Sequence, residues 1–185
     1  DYLFSHAFYL ASTLENTYAC QCIGRSTNVV CEGELRQVGH RGNHSLSEVE
    51  YFRIINGKTA ELCACACHLG AKYACDDPAR IRSLEQYGRS LGMAFQIADD
   101  LLDLLGDEAT TGKSLGTDLE KQKPTLPLIH CYQRANEQER QELTSLLETP
   151  GSSSREQLQA WLERFDALEY ARQKASDFAE QARRQ

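Results

Sequence analysis

Proline occurs only at positions 78, 124, 127 and 150 of this 185-residue chain. Proline removes a backbone donor and clashes with the preceding turn, so its scarcity permits long helices and its few positions punctuate them. Between these positions apolar residues recur at spacings of three and four, and nothing reads as a strand pair or hairpin. The expected fold class is all-α.

The elements can be placed from the same pattern. Residues 1 to about 23 show helical periodicity through Leu3, Ala7, Leu10, Ala11 and Leu14. The polar, glycine-rich stretch "GELRQVGHRGNHS", residues 33–45, reads as a loop or helix end. Ser47 followed by Glu50 makes a capping box that opens a helix over about 48–73. Asp77 and Pro78 open the next helix, which should run to about residue 105. Residues 107–123 lack apolar periodicity and read as a long loop, a length that is usually functional or disordered. Pro124 and Pro127 start another helix, and "TPGSSS", residues 149–154, separates the last two. The length fits one domain or part of a larger one.

The net charge of −7 and the absence of any Lys/Arg-rich block argue against a nucleic-acid partner. The longest charge-free stretches, such as residues 62–71, are too short to cross a bilayer, and no signal peptide is visible. Eight cysteines, among them Cys63, Cys65 and Cys67, do not form paired C-x-x-C clusters. They are expected to be reduced, small apolar residues of a cytoplasmic chain.

Within "GMAFQIADDLLDLLGDE", residues 92–108, three aspartates interrupt an apolar helix body. Spacings of three and four are expected to place Gln96, Asp99, Asp100 and Asp103 on one face, with Leu91, Ala94, Ile97, Leu101 or Leu104 on the other. An exposed acidic face would cost only about a few tenths of a kcal/mol per like-charged pair, so the count alone proves no site. In a cleft, two such charges about 4 Å apart repel by about 4 kcal/mol and call for cations. Oxygen ligands one turn apart suit Mg²⁺, which completes its shell with water and substrate phosphates. "NGKTAEL" places Lys58 and Thr59 mid-helix, and "GKSLGTDLEKQKPTLPLI" places Lys113, Lys121 and Lys123 after the aspartates. Each lysine alone is an ordinary surface charge. Beside a carboxylate–Mg²⁺ site, such lysines and flexible glycines are what a diphosphate requires.

Taken in order, "DYLFSHAF", "EGELRQ", "KTAEL", "GMAFQIADDLLD" and "GKSLGTDLEKQKPTLPLI" resemble the C-terminal half of trans-isoprenyl diphosphate synthases. These are head-to-tail prenyltransferases that make geranylgeranyl, heptaprenyl, octaprenyl and similar diphosphates. The likeness covers most of residues 1–129, and from about 130 onward the helices look generic. It implies a bundle of long helices around an apolar cavity, with two aspartate-rich motifs binding an allylic diphosphate through three Mg²⁺. Asp99, Asp100 and Asp103 match the second motif, with Asp99 the foremost ligand. Lys58 and Lys113 match lysines on the allylic diphosphate, and Lys123 a further lysine near it. Thr59 and Gln96 match residues that steady the allylic cation, and Phe95 an aromatic beside isopentenyl diphosphate. The implied chemistry is ionisation, condensation and elimination, lengthening the product by five carbons. A homodimer is typical of the family.

The first aspartate-rich motif and the Gly-Gly-Lys-type segment of these synthases have no counterpart here. The chain, which starts at Asp1, therefore reads as the C-terminal part of one synthase domain, with the 185 residues alone expected to be inactive. A degenerate or partial subunit of a heteromeric synthase is the alternative. A terpene cyclase is disfavoured, because cyclases usually carry an Asn/Asp-Ser/Thr-Glu type of second motif.

Overall fold

The computed structural model describes residues 2–105, 118, 121–148 and 154–185. Among them there is no strand. Helices α1 (Tyr2–Ser12), α2 (Tyr18–Gly39) and α3 (Glu48–Ile55) are followed by a π-helical turn (Asn56–Ala60). Then come α4 (Glu61–Ala74), α5 (Pro78–Leu105), α6 (Leu126–Arg134), α7 (Glu137–Glu148), α8 (Ser154–Arg164) and α9 (Ala167–Arg183).

The helix starts follow local chemistry. Ser47 accepts a hydrogen bond from the Glu50 amide at 3.2 Å, as a capping residue should. The Glu50 carboxylate pairs with Arg36 at 3.1 Å and Arg53 at 3.3 Å. Asp77 caps α5 through the Ala79 amide at 2.9 Å. Pro127 sits in the first turn of α6, where its missing N–H costs nothing.

Two expectations about the helices are corrected. The first helix breaks after Ser12 and restarts at Tyr18. Ser12 and Thr13 turn their hydroxyls back onto carbonyls three residues earlier, and Asn16 caps the Tyr18 amide at 3.0 Å. Leu3, Leu10 and Leu14, which carry the periodicity of this segment, are exposed. The stretch 33–45, read as a loop or helix end, holds the end of α2 at Gly39. Two helices, not one, follow the 149–154 segment, because Asp166 adopts a left-handed conformation (φ 50°) between α8 and α9.

Helix α5 is the axis of the fold. It packs on α4 along one side and on α9 along another, while α2 lies across the π turn and α4. The main core joins Leu46, Tyr51, Ile54, Ile55, Met93, Ile97, Leu101, Leu126 and Ile129 with Ala171 of α9. Each large apolar side chain buried this way contributes about 1.5–3 kcal/mol. A second core joins Leu128, Leu143, Leu158 and Leu162 of α6–α8. Glu48 of α3 ties α9 down by accepting from Tyr170 at 2.6 Å and pairing with Lys174 at 3.3 Å. On α5, Ala94, Ile97, Leu101 and Leu104 are buried as expected, whereas Leu91 faces outward. All eight cysteines are free thiols. Cys65 and Cys131 are buried, and desolvation pushes the Cys131 thiol up to about 12.

Candidate functional site: a buried carboxylate beside a widened helical turn

The run from α3 to α4 would be one ordinary helix without the five-residue π turn, which holds Lys58 and Thr59. Such turns are recurrent at functional sites. This one is clamped by glycines. A Cβ on Gly33 of α2 would lie 2.6 Å from the Lys58 nitrogen and 3.0 Å from the Gly57 carbonyl carbon. A Cβ on Gly92 of α5 would lie 2.6 Å from Ala60 Cα. Two helices thus press on the turn backbone to backbone. The Lys58 ammonium donates to Gln37 Oε1 at 2.7 Å and lies 3.3 Å from Glu34, both on the last turns of α2.

Thr59 donates to Gln96 Oε1 at 2.6 Å, and Gln96 Nε2 donates to Asp100 Oδ1 at 2.9 Å. The same carboxylate accepts from Lys123 at 2.7 Å and, through Oδ2, from the Tyr51 hydroxyl at 2.9 Å. Lys123 also donates to Asp118 at 2.7 Å, and the Asp118 amide donates to Asp103 Oδ2 at 3.0 Å. Tyr51 of α3, Thr59 of the π turn, three side chains of α5, Asp118 and Lys123 therefore meet in one connected network.

Gln96 and the three aspartates lie within an arc of about 100° on α5, but at two depths. Positions four apart on a helix differ by about 40°, and adjacent positions by about 100°. Gln96 and Asp100 form a row turned into the protein, both buried, with Asp100 0% exposed. Asp99 and Asp103 form a neighbouring, half-buried row. Phe95 is exposed beside them. Lys121 is exposed, and Lys113 lies outside the described residues.

Burial pushes the Asp100 carboxyl above the usual carboxylate range, and Lys123 and Gln96 pull against that rise. Desolvation works against the Lys123 ammonium, but Asp100 and Asp118 outweigh it and hold its pKa above that of a free lysine. Burial, reinforced by Asp100, keeps Tyr51 a neutral phenol far above its ordinary pKa. The arrangement can present a lysine and an acidic row to a polyanion–cation pair, with an ordered hydroxyl and amide beside them.

Sequence reasoning did not single out Tyr51, Asp118, Glu34, Gln37 or the clamping glycines. Tyr51 hides within an apolar helical pattern. Asp118 sits in an aperiodic stretch. The glycines did leave a signal: a glycine inside a helix costs ~1 kcal/mol relative to alanine, so it usually has a packing reason.

A family profile described as polyprenyl synthetase matches residues 1–165. The chain belongs to the polyprenyl synthetase family. The match to this family thus extends past residue 130, into helices that looked generic in the sequence. The octaprenyl diphosphate synthase of Haemophilus influenzae is 34% identical over 183 residues, 98% of this chain and 56% of that protein. Component 2 of the heptaprenyl diphosphate synthase of Geobacillus stearothermophilus is 36% identical over 131 residues, 71% of this chain and 41% of that protein. The crystal structure of a decaprenyl diphosphate synthase from Rhodobacter capsulatus superposes with a TM-score of 0.89 at 33% identity, covering 100% of this chain and 57% of that one. The chain thus spans a little over half the length of the H. influenzae relative. No helix among the described residues is long and apolar enough to cross a membrane.

Proposed function

We propose that this polyprenyl synthetase chain serves a prenyltransferase that adds isopentenyl diphosphate head-to-tail to an allylic diphosphate, yielding a geranylgeranyl or longer polyprenyl diphosphate. The observation that carries the reading is the network above. It joins Thr59, Gln96, Lys123 and Asp103 around Asp100 near the C-terminal end of α5, with Lys58 in the same turn as Thr59 and Asp99 next to Asp100 in sequence. The names of the relatives support the same chemistry.

The acidic row fits Mg²⁺. Asp99 and Asp103 are hard oxygen donors one turn apart on a half-buried surface, suited to an ion that takes one or two carboxylates and leaves positions for water and phosphate oxygens. Asp100 fits less well as a direct ligand, since both its oxygens already accept from Tyr51, Gln96 and Lys123. Bound Mg²⁺, about three ions by family likeness, supplies Lewis-acid neutralisation of diphosphate charge.

The chain's own residues carry the remaining work. Lys58, Lys113 and Lys123 hold the allylic diphosphate and stabilise negative charge as the C–O bond breaks. Thr59 and Gln96 face the allylic cation with oriented dipoles, the kind of fixed electrostatics that dominates catalysis. Phe95 lies against isopentenyl diphosphate, whose double bond attacks the cation. Loss of a proton, with the released diphosphate as base, completes the product. Residues 1–185 form the C-terminal part of a single synthase domain, cytoplasmic and homodimeric.

The test is a condensation assay on the complete polypeptide with isopentenyl and farnesyl diphosphates, with and without Mg²⁺. Asp99→Ala should lower turnover by about 10²-fold or more, the scale for one preorganised charge. Unchanged turnover overturns the reading. A second reading, a supporting subunit of a two-part synthase, draws on the likeness to component 2 of a heptaprenyl diphosphate synthase. Turnover by the purified polypeptide without a partner would eliminate it.

A further inference from the structure

The connectivity around Asp100 fixes more than position. An ionised carboxylate only accepts hydrogen bonds, and a primary amide has one accepting and one donating end. Asp100 is fully buried, and Lys123, Gln96 and Tyr51 surround it with donors. Gln96 must therefore turn its NH₂ toward Asp100, because the opposite orientation would set oxygen against oxygen in a dry site. Its carbonyl then points at Thr59. The Thr59 hydroxyl has a single proton, and at 2.6 Å from Gln96 Oε1 that proton is committed. Thr59 can offer only lone pairs to any other group.

We propose that Asp100, braced by Tyr51, is a positioning residue that locks the polarity of the Gln96–Thr59 chain, so that Thr59 meets the substrate as an obligatory acceptor. This rests on the prenyltransferase reading, in which an acceptor is the sign needed beside a carbocation. A donor there would raise the barrier instead. The lock also gives a carboxylate so deep in the protein a role. A neutral amide at position 100 could still accept from Gln96, but it could no longer oppose the Lys123 charge. An alanine would leave the Gln96 amide free to rotate.

The lock has a readout that needs no turnover. In ¹H–¹⁵N spectra of the complete polypeptide, the Gln96 side-chain NH₂, assigned by its loss in Gln96→Ala, should exchange with solvent at least about tenfold more slowly than exposed glutamines, because it is buried and bonded. That protection should disappear in Asp100→Ala and persist in Asp100→Asn. In the condensation assay, Asp100→Ala should lower kcat by about 10²-fold, the scale for one preorganised dipole, with KM for the allylic diphosphate and the half-saturating Mg²⁺ concentration within about threefold. Asp100→Asn should recover at least tenfold of that loss. Tyr51→Phe, which keeps shape, should lower kcat by about tenfold with the same unchanged KM. The proposal is overturned if Gln96 exchanges like a surface glutamine, if Asp100→Ala leaves that exchange unchanged, or if Asp100→Ala shifts the Mg²⁺ requirement as far as Asp99→Ala does. Absence of turnover in the native polypeptide would instead refute the prenyltransferase reading, and the spectra would still decide the lock.

Discussion

Gly33→Ala is the most direct probe of the clamped turn. An added Cβ would stand 2.6 Å from the Lys58 nitrogen, 3.0 Å from the Gly57 carbonyl carbon and 3.2 Å from Lys58 Cα. All three are backbone atoms, so no side chain can rotate aside. Reaching ordinary contact requires α2 and the turn to separate by roughly 1 Å. Overpacking of this kind costs about 1–3 kcal/mol, and this contact belongs at the upper end because backbone must move. Removing a helix-interior glycine returns up to about 1 kcal/mol. The net expectation is a loss of about 1–2 kcal/mol, a Tm drop of about 2–8 °C for a protein of this size. Gly70→Ala is the matched control, since nothing lies within 4 Å of its added Cβ, and it should gain about 0.5–1 kcal/mol. Because Lys58 and Thr59 ride on the displaced segment, turnover in Gly33→Ala should fall by about 10²-fold, the usual consequence of an ångström of misplacement. Paired thermal melts and condensation kinetics on the complete polypeptide measure both effects. If Gly33→Ala stabilises as much as Gly70→Ala and keeps full turnover, the clamp has no role.

Other expectations are simpler to state. Thr125 Oγ1 is buried with no hydrogen-bond partner among the described residues, so Thr125→Val should raise stability by about 1 kcal/mol in urea titrations. His130 and His44 are buried enough that desolvation depresses both pKa values below 6.5. The unfolded chain then binds protons that the folded one does not, so stability should fall as pH drops below about 6.5 and level off below the folded pKa values. Replacing His130 with Phe, which can keep its stacking on Tyr170, should flatten that slope in melts across pH 7 to 5. Glu50 is held below its ordinary value despite partial burial, through Arg53 and Arg36. Its contribution should be present above about pH 4.5, be lost as pH falls through the lowered value, and amount to less than ~1 kcal/mol when Glu50→Gln is compared at pH 7.

What could be read from the sequence was what local rules control. Ser47, Asp77 and Pro127 start helices where their chemistry says they should. The apolar row Ala94, Ile97, Leu101, Leu104 faces the core as its spacing dictates. Leu3, Leu10 and Leu14 have the same periodicity yet face outward, because period alone does not say whether a partner covers a stripe. The aspartates were visible as a group on one face, but a tolerance of three to four positions does not separate two rows whose centres differ by about 60°. Only the donors from Tyr51 and Lys123, 49 residues before and 23 after Asp100, show which row turns inward. Such long-range partners leave no local pattern. Asp166 is similar: a left-handed aspartate in the middle of a helical stretch gives no composition cue.

The π turn has a consequence for how this chain can tolerate insertions and deletions. It holds one residue more than a regular helix would need over the same arc. Deleting one residue of 56–60 would restore a regular α-helix and leave α3 and α4 facing nearly as they do now. Cys63 and Cys67 would still meet Gly88, but the widened turn that carries Lys58 and Thr59 would be gone, and with it the hydrogen bond from Thr59 to Gln96. The extra residue thus belongs to the site and not to the scaffold. A chain shortened by one here should keep its fold and lose the arrangement around Gln96.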